Sequence, residues 1–388
     1  MSEWRKMTLR ELTENHDGQR IPVKETERKP GGYPYYGASG IVDHIDRFIF
    51  DGEFLLIAED GENLRTMKTP IAFLARGKFW VNNHAHIVTG NSKADTRFLM
   101  YALCNSDISG FLTGSTMPKL TQGNMNRIPI LAPPLPEQRA IAAVLGALDD
   151  KIELNRRMNE TLEALAQSLF KSWFVDATQS ALPKGWREVS FTETVEILGG
   201  GTPKTSVAEY WDGDIPWFSV VDAPQGSDVF VIDTEKKITR AGVDNSSTQV
   251  LPVGTTIISA RGTVGKVALV GVPMAMNQSC YGIRGKAGKK GYHAYFATRA
   301  LVSTLQQHAH GSVFDTITRD TLAGVQFAIP PAGEIEKFEE KVSPLMERLR
   351  NNLFESRTLA ALRDALLPKL LSGELRVPAA SGSMKASA

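Results

Sequence analysis

Residues 133–173 read PPLPEQRAIAAVLGALDDKIELNRRMNETLEALAQSLFKSW, and residues 330–370 read PPAGEIEKFEEKVSPLMERLRNNLFESRTLAALRDALLPKL. Laid over one another at a shift of 197 they need no gap, and the ungapped overlay already begins at residue 114 over 311. Gly114-Ser115 falls on Gly311-Ser312, Thr121 on Thr318, Pro133-Pro134 on Pro330-Pro331, Glu137 on Glu334 and Asn155 on Asn352. Leu162, Leu165 and Leu169 fall on Leu359, Leu362 and Leu366. Further upstream the register drifts, with Trp4-Arg5 over Trp186-Arg187 at a shift of 182 and Asn82 over Asn277 at 195. Self-similarity on this scale marks a duplicated unit. The trailing ends of the two copies stay close, and the domains in front of them diverge.

The trailing ends are helices by periodicity. From Ile141, apolar residues recur in alternating steps of four and three through Leu145, Leu148, Ile152, Leu162, Ala166, Leu169 and Trp173, the seam of a coiled coil, and Leu165 is expected to widen the stripe. The second copy gives Phe338, Val342, Leu345, Leu349, Leu359, Leu366 and Leu370. Pro136 and Gly333 mark the starts, each followed by a Glu that suits the positive helix N-terminus. Asn155, Asn159 and Asn352 interrupt the seam where leucine would be more stable, either to fix helix register or as residues at the seam's edge.

The linker 176–185 reaches at most about 35 Å, and a compact domain returns its end near its start. The distal helix therefore begins near the end of the central one and runs back along it, antiparallel, forming a rod of roughly 57 Å at 1.5 Å per residue. The expected fold class is α/β (α+β), two globular domains joined by two long antiparallel helices in an internal pseudo-two-fold repeat. The boundaries are a first domain 1–135, a central long helix 136–175, the linker 176–185, a second domain 186–332, a distal long helix 333–375 and a disordered tail 376–388.

Composition bounds the function. The chain has 388 residues, 42% hydrophobic and 22% charged, enough for two ordinary domains with cores. It offers no run of about 18 apolar residues, and its start, MSEWRKMTLR, lacks the apolar core of a signal peptide, so a cytoplasmic protein is expected. Cys104 and Cys280, the two cysteines, form no C-x-x-C pair and are expected to be buried small residues. The net charge of +1 hides a segregation. Residues 188–235 hold ten acids and one base, residues 236–299 ten bases and one acid. In the first copy residues 1–62 carry thirteen acids against eight bases, and residues 63–132 eight bases against two acids. A charge run is often only a solvated face, but its recurrence favours a basic surface built twice.

These residues resemble the specificity subunit of type I restriction-modification systems over nearly the whole chain. The most specific stretches are Pro133 to Ile141 leading into Asp149 to Asn155, Leu366 to Leu375 with its Leu-Pro-Lys-Leu-Leu-Ser-Gly-Glu-Leu run, Gly200-Gly-Thr-Pro203, and Tyr210-Trp-Asp-Gly-Asp-Ile-Pro-Trp217. The first domain lacks the last two and offers Pro34 to Gly40 and Phe54 to Gly61 instead, like another branch of the same domain type, so the two half-sites should differ. The resemblance implies that each domain reads one half of a split DNA target, while the helices set the spacing and carry two modification subunits. It also implies that S-adenosylmethionine sits on those subunits and that ATP and Mg sit on restriction subunits, with no cofactor in this chain.

Candidate DNA contacts follow from residue type and place. In the basic stretch of the first copy they are Lys68, Arg76 and Lys78. Asn82 and Asn83 could pair with an adenine edge or cap a turn, and the second copy carries Asn277-Gln278 there, again two carboxamides. His84 and His86 alternate as metal ligands can, but no third ligand follows, so no metal is expected. His84 joins the DNA candidates. The Gly114–Asn124 loop adds Lys119, Gln122 and Asn124, and its counterpart adds Ser312 and Arg319. Arg261 and Lys266 flank a Gly-rich turn, either a bare hairpin or a contact with the DNA backbone. Lys204, Lys286, Lys289 and Lys290 complete the set as phosphate contacts, which add affinity without choosing sequence. Gly199 to Lys204 fails the spacing of a phosphate-binding loop.

Two other classes compete. An enzyme would need its own chemistry, and neither Ala132-Pro-Pro-Leu nor Ile329-Pro-Pro-Ala is the Asn/Asp-Pro-Pro-aromatic motif of an amino-methyltransferase. No Walker lysine, nuclease pattern or nucleophile context is present, so a non-catalytic subunit is expected. A coiled-coil scaffold, or a stand-alone DNA binder without such partners, is the remaining alternative.

Overall fold

A computed structural model of the chain describes residues 4–226, 228–286, 291–308 and 316–377, the side chains of 307 and 308 excepted. Two compact units result, Met1–Lys151 with Leu359–Ala388, and Ile152–Thr358. The tail from 378 onward lies outside the described residues.

The first unit is built around the strand Phe50–Ala58. Its run Leu55-Leu56-Ile57-Ala58 is apolar without alternation, the pattern of a strand covered on both faces, and all four residues are buried. Ala72–Val81 and Ala85–Gly90 flank it antiparallel. Thr13–Asn15 adds beyond Ala85–Gly90, and Pro30–Gly37 and Gly40–Ile45 add on the other side. Pro30–Gly37 meets Ala72–Val81 in parallel, with Tyr35 opposite Trp80 and Tyr36 opposite Val81. Arg5–Thr8 pairs with Pro129–Ala132 apart from this sheet.

The second unit repeats the frame. Thr256–Ser259 lies between Cys280–Gly285 and Val267–Val270, and Val195–Gly199 adds beyond Cys280–Gly285. Trp217 opposite Ala275 and Phe218 opposite Met276 reproduce the parallel contact, and Arg187–Ser190 with Gln326–Ile329 reproduces the separate pair. The long strand Ala72–Val81 has become two, Val267–Val270 and Ala275–Met276, with Pro273, which has no N–H to give to a ladder, between them. Helix starts repeat as well. Thr8 with Glu11 and Ser190 with Glu193 form capping boxes, and Thr121 and Thr318 each accept an N–H of the following turn.

The central long helix is Leu135–Phe170, closing in a π turn at Lys171–Val175, and the distal one is Ala332–Ser372. Within the first unit Arg376 pairs with Glu137, and Arg363 with Asp149 at 2.7 Å. Within the second, Asn155 donates to Glu355 at 2.9 Å, and Asn352 donates to Asn159 at 2.9 Å. Late residues meet early ones in both units, so the helical segments run antiparallel. Asn155, Asn159 and Asn352 are all buried and form a polar layer in the seam. Leu165 does not widen the stripe. It is 48% exposed, and its counterpart Leu362 is 47% exposed, because the 3.5-residue repeat turns Ala166 and Leu169 inward and leaves 165 one step past the seam.

Helix and domain share one core in each unit. In the first, Ile141, Leu145, Leu370 and Leu371 cluster with Leu9, Phe98, Leu99 and Ile130. In the second, Phe170, Phe338 and Leu349 cluster with Phe191, Tyr295 and Phe296. Each such side chain contributes about 1.5–3 kcal/mol when buried, so each domain is fixed to its helical segments by packing. Cys280 is buried, but Cys104 is only half-buried, and burial pushes both thiols up, Cys280 to about 12. Among the described residues no helix is long and apolar enough to cross a membrane.

Candidate nucleic-acid interface

In each unit the chain leaves an inner strand and turns at an asparagine. Asn82 gives its backbone N–H to the Tyr36 carbonyl at 3.0 Å, and its Oδ1 accepts the His84 N–H at 2.8 Å. Asn277 gives its N–H to the Phe218 carbonyl at 2.9 Å, and its Oδ1 accepts the Ser279 N–H at 3.0 Å. This is the same side-chain-closed turn twice. Of the two roles open to Asn82 and Asn277, the geometry shows the turn. The carboxamides offered outward are the next residues, Asn83 and Gln278, both exposed. Thr202 donates its hydroxyl to Gln278, and Gly200 lets that segment approach, since a Cβ there would stand 1.9 Å from the Asn277 carbonyl oxygen.

A second loop meets each turn from the end of the central strand. In the first unit Glu59 donates its N–H to the His84 carbonyl at 2.9 Å and accepts the Leu120 N–H at 2.8 Å. Ala260 does the same in the second unit, with Ser279 at 2.7 Å and Ile317 at 2.8 Å. Glu59-Asp60-Gly61 and Ala260-Arg261-Gly262 are therefore equivalent. A third loop completes the junction, Lys119 bridging to Asp60 in one copy and Thr316 to Arg261 in the other.

The junction of the first unit is densely paired. His84 meets Asp60 at 2.8 Å, Lys119 meets Glu59 at 3.2 Å, and Gln122 donates to Asn15 at 2.8 Å and to Asp17 at 3.3 Å. Beneath them Arg20 reaches Glu59 at 2.8 Å, and His86, buried, contacts Asp17 at 2.7 Å. Burial alone would raise the Asp17 and Glu59 carboxyls. Hydrogen bonds and charge from His86 and Arg20, with Lys119 at Glu59, outweigh it and hold both below the ordinary range. Asn124 serves the loop itself, donating to the Phe111 carbonyl at 2.8 Å and accepting from Arg127.

In the second unit Arg261 is exposed beside the Asn277 turn and makes no ion pair among the described residues. Lys266 is exposed at the far side of the same hairpin, whose turn is closed by the Gly265 N–H on the Ser259 carbonyl at 2.9 Å, with Gly262 and Gly265 at positive φ. Arg319 donates to the Ile197 carbonyl at 3.1 Å and Lys286 to the Thr192 carbonyl at 3.3 Å, so both lie along the Phe191–Thr194 and Val195–Gly199 edge. Lys204 is exposed, its carbonyl accepting from Trp211. Lys289, Lys290 and Ser312 lie outside the described residues.

The remaining candidates do not join a junction. Lys68 is exposed in the turn before Ala72–Val81. Arg76 pairs with Glu53 at 2.7 Å, and Lys78 sits 4.7 Å from the Phe48 ring centre. Much of the basic stretch is in fact paired with acids. Arg97 binds Asp150 at 3.0 Å, Arg299 binds Glu163, and Lys237 binds Asp233 at 3.2 Å. Part of the local segregation of charge is cancelled in space, while Lys236, Arg261, Lys266, Arg284 and Lys286 stay exposed without an ion pair among the described residues. Among the described residues no group of three or more His, Cys, Asp or Glu could hold a metal ion.

A strand frame built twice, with the chemistry at its loop junction rewritten between copies and helices packed into both cores, defines a duplicated recognition protein. The chain belongs to the family of type I restriction modification DNA specificity domains, whose profile matches residues 1–164 and 183–357. It is a type I specificity subunit. A putative type I restriction enzyme specificity subunit of Haemophilus influenzae is 41% identical over 146 residues, 38% of this chain and 37% of that protein. A type I restriction enzyme specificity subunit of Methanocaldococcus jannaschii is 25% identical over 409 residues, covering 97% of this chain and 94% of that one. The crystal structure of a type I restriction-modification system S subunit from M. genitalium shares the fold, with a TM-score of 0.67 over 95% of this chain and 96% of that chain at 17% identity.

Proposed function

We propose that each unit reads one half of a split, asymmetric DNA target and that the long helices set the spacer between the halves and dock two modification subunits. The observation that carries this is the repeated junction, in which identical backbone bonds at Asn82 and Asn277 present different side chains. Sequence is chosen by base-edge contacts and affinity by cations on phosphate. Asn83, His84, Lys119 and Gln122 face the first half-site, and Gln278, Arg261 and Lys266 the second. Lys204, Lys286 and Arg319 add phosphate contacts, and the polar layer of Asn155, Asn159 and Asn352 fixes helix register. The chain is non-catalytic and acts in the cytoplasm. Methyl transfer from S-adenosylmethionine to adenine belongs to the modification subunits, and ATP-driven translocation and cleavage, with Mg, to restriction subunits. Methylome sequencing of cells expressing the whole system tests this. A split motif with adenine modified on both strands is expected, and a continuous motif or no motif overturns it.

A further inference from the structure

His86 is 1% exposed, and both of its ring nitrogens face oxygens. Nδ1 lies 2.7 Å from Oδ2 of Asp17, and Nε2 lies 2.7 Å from the Leu120 carbonyl oxygen. A carbonyl oxygen only accepts, and a neutral imidazole has a single N–H. Either Asp17 carries a proton or His86 carries two. Asp17 already accepts the Ile87 N–H at 2.8 Å on Oδ1 and the Gln122 amide at 3.3 Å on Oδ2, with the Arg20 guanidinium 3.6 Å away. A carboxylate so surrounded by donors is ionised, and the second proton falls to His86.

We propose that His86 is a positioning residue of the first recognition domain, a doubly donating imidazolium that ties the Thr113–Thr121 loop to the sheet and so places Lys119 and Gln122 for DNA. The proposal rests on the DNA reading above. Leu120 is held from both sides, its carbonyl by His86 and its N–H by the Glu59 carbonyl. Its neighbour Lys119 bonds back to Thr113 through N–H and carbonyl, at 2.7 and 2.8 Å, which closes the loop on itself. The charged groups facing the ring are Asp17 and Arg20 from the turn after Thr13–Asn15, Glu59 at 3.8 Å from the end of the central strand, and Lys119 from the loop through Glu59. Taking one proton from His86 removes one of its two bonds and leaves a buried oxygen without its donor. In the second copy Tyr281 stands where His86 stands, each opposite the equivalent residue of the central strand, Ile258 and Ile57, so only the first copy carries the device.

The test uses the full chain without DNA, labelled with nitrogen-15 in histidine. The His86 signal, identified by its loss in His86→Gln, is expected to show two ring N–H protons at neutral pH, and one bare ring nitrogen there overturns the proposal. Amide exchange across 113–122, corrected for intrinsic rates, is expected to speed up about tenfold in His86→Gln, the equivalent of one hydrogen bond. Strands 256–259 and 280–285 are expected not to respond to that substitution. Exchange across 113–122 unchanged in His86→Gln overturns the clamp. If His86→Gln does not fold, Asp17→Asn replaces it, and an unchanged two-proton ring in that variant is likewise fatal. Because no DNA is present, failure here leaves the reading of a split target standing, and failure of the methylome test leaves the clamp standing.

Discussion

At Glu59-Asp60 the first copy surrounds its junction with four charged side chains and a histidine that satisfy one another, whereas at Ala260-Arg261 the second copy places one exposed arginine among Ser279 and Thr316. The backbone bonds beneath them are the same. The difference teaches that the frame is held by main chain and core, so the side chains at its rim can change without disturbing it, as the proposed reading of two unlike half-sites requires. The buried histidines make the same point inside the units. His86 in the first is bonded at both ring nitrogens. His293 in the second lies among Phe170, Phe174, Phe327 and Phe338, with Nε2 unpartnered among the described residues.

The severest way to break the equivalence of the copies is to end the chain after residue 175. This strips Leu366, Leu370 and Leu371 from the first unit's core and removes the Arg376 partner of Glu137. The fragment is expected to pair with a second copy of itself, so that Leu169 and Trp173 stand in for Leu366 and Leu370. Sedimentation showing a folded monomer would defeat the equivalence. Next comes acid. Burial pushes His293 down to about 4 from 6.5, so the unfolded chain binds the proton more readily. Stability of the second unit is therefore complete above about pH 6.5 and falls by roughly 3 kcal/mol as pH drops to 4. Denaturation at pH 7 and 4.5 should show this loss in the native chain and not in His293→Phe, and an equal slope in both would remove the contrast with His86.

Arg261→Ala sharpens the comparison at the rim. Binding of the full chain to duplex DNA is expected to weaken about tenfold, and the salt slope to fall by about 0.9 if the contact is to phosphate. An unchanged affinity would place the second junction away from DNA. The smallest effect belongs to Asp60→Ala. Its pair with His84 is partly exposed, and such pairs contribute about 0–1 kcal/mol, so thermal unfolding should move by only a few degrees. A larger drop would mean that the paired rim of the first copy is structural rather than adjustable.

The duplication, the long helices and their antiparallel course were legible in the sequence because periodicity is a local signal that survives folding. Asn155 and Asn352 could be placed in the seam from spacing alone. The width of the stripe could not, and Leu165 was set on the wrong side. The hairpin at Arg261–Lys266 was readable from its glycines. The cluster around His86 was not, because its partners Asp17 and Leu120 are brought together by a six-stranded sheet from 69 residues before it and 34 after. The same sheet cancels part of the charge that is clustered in sequence. Glu53 and Arg76 sit opposite each other in neighbouring strands and cancel.

The first unit closes on residues from the far end of the chain, Leu370, Leu371 and Arg376, while the second is one continuous segment. During synthesis the second unit can complete its core as soon as residue 358 has emerged. The first, made earliest, must wait for residues 359–377 with its apolar helix face uncovered. The order of translation is thus reversed in the order of folding, and the waiting domain is the one exposed to mispairing with another nascent copy.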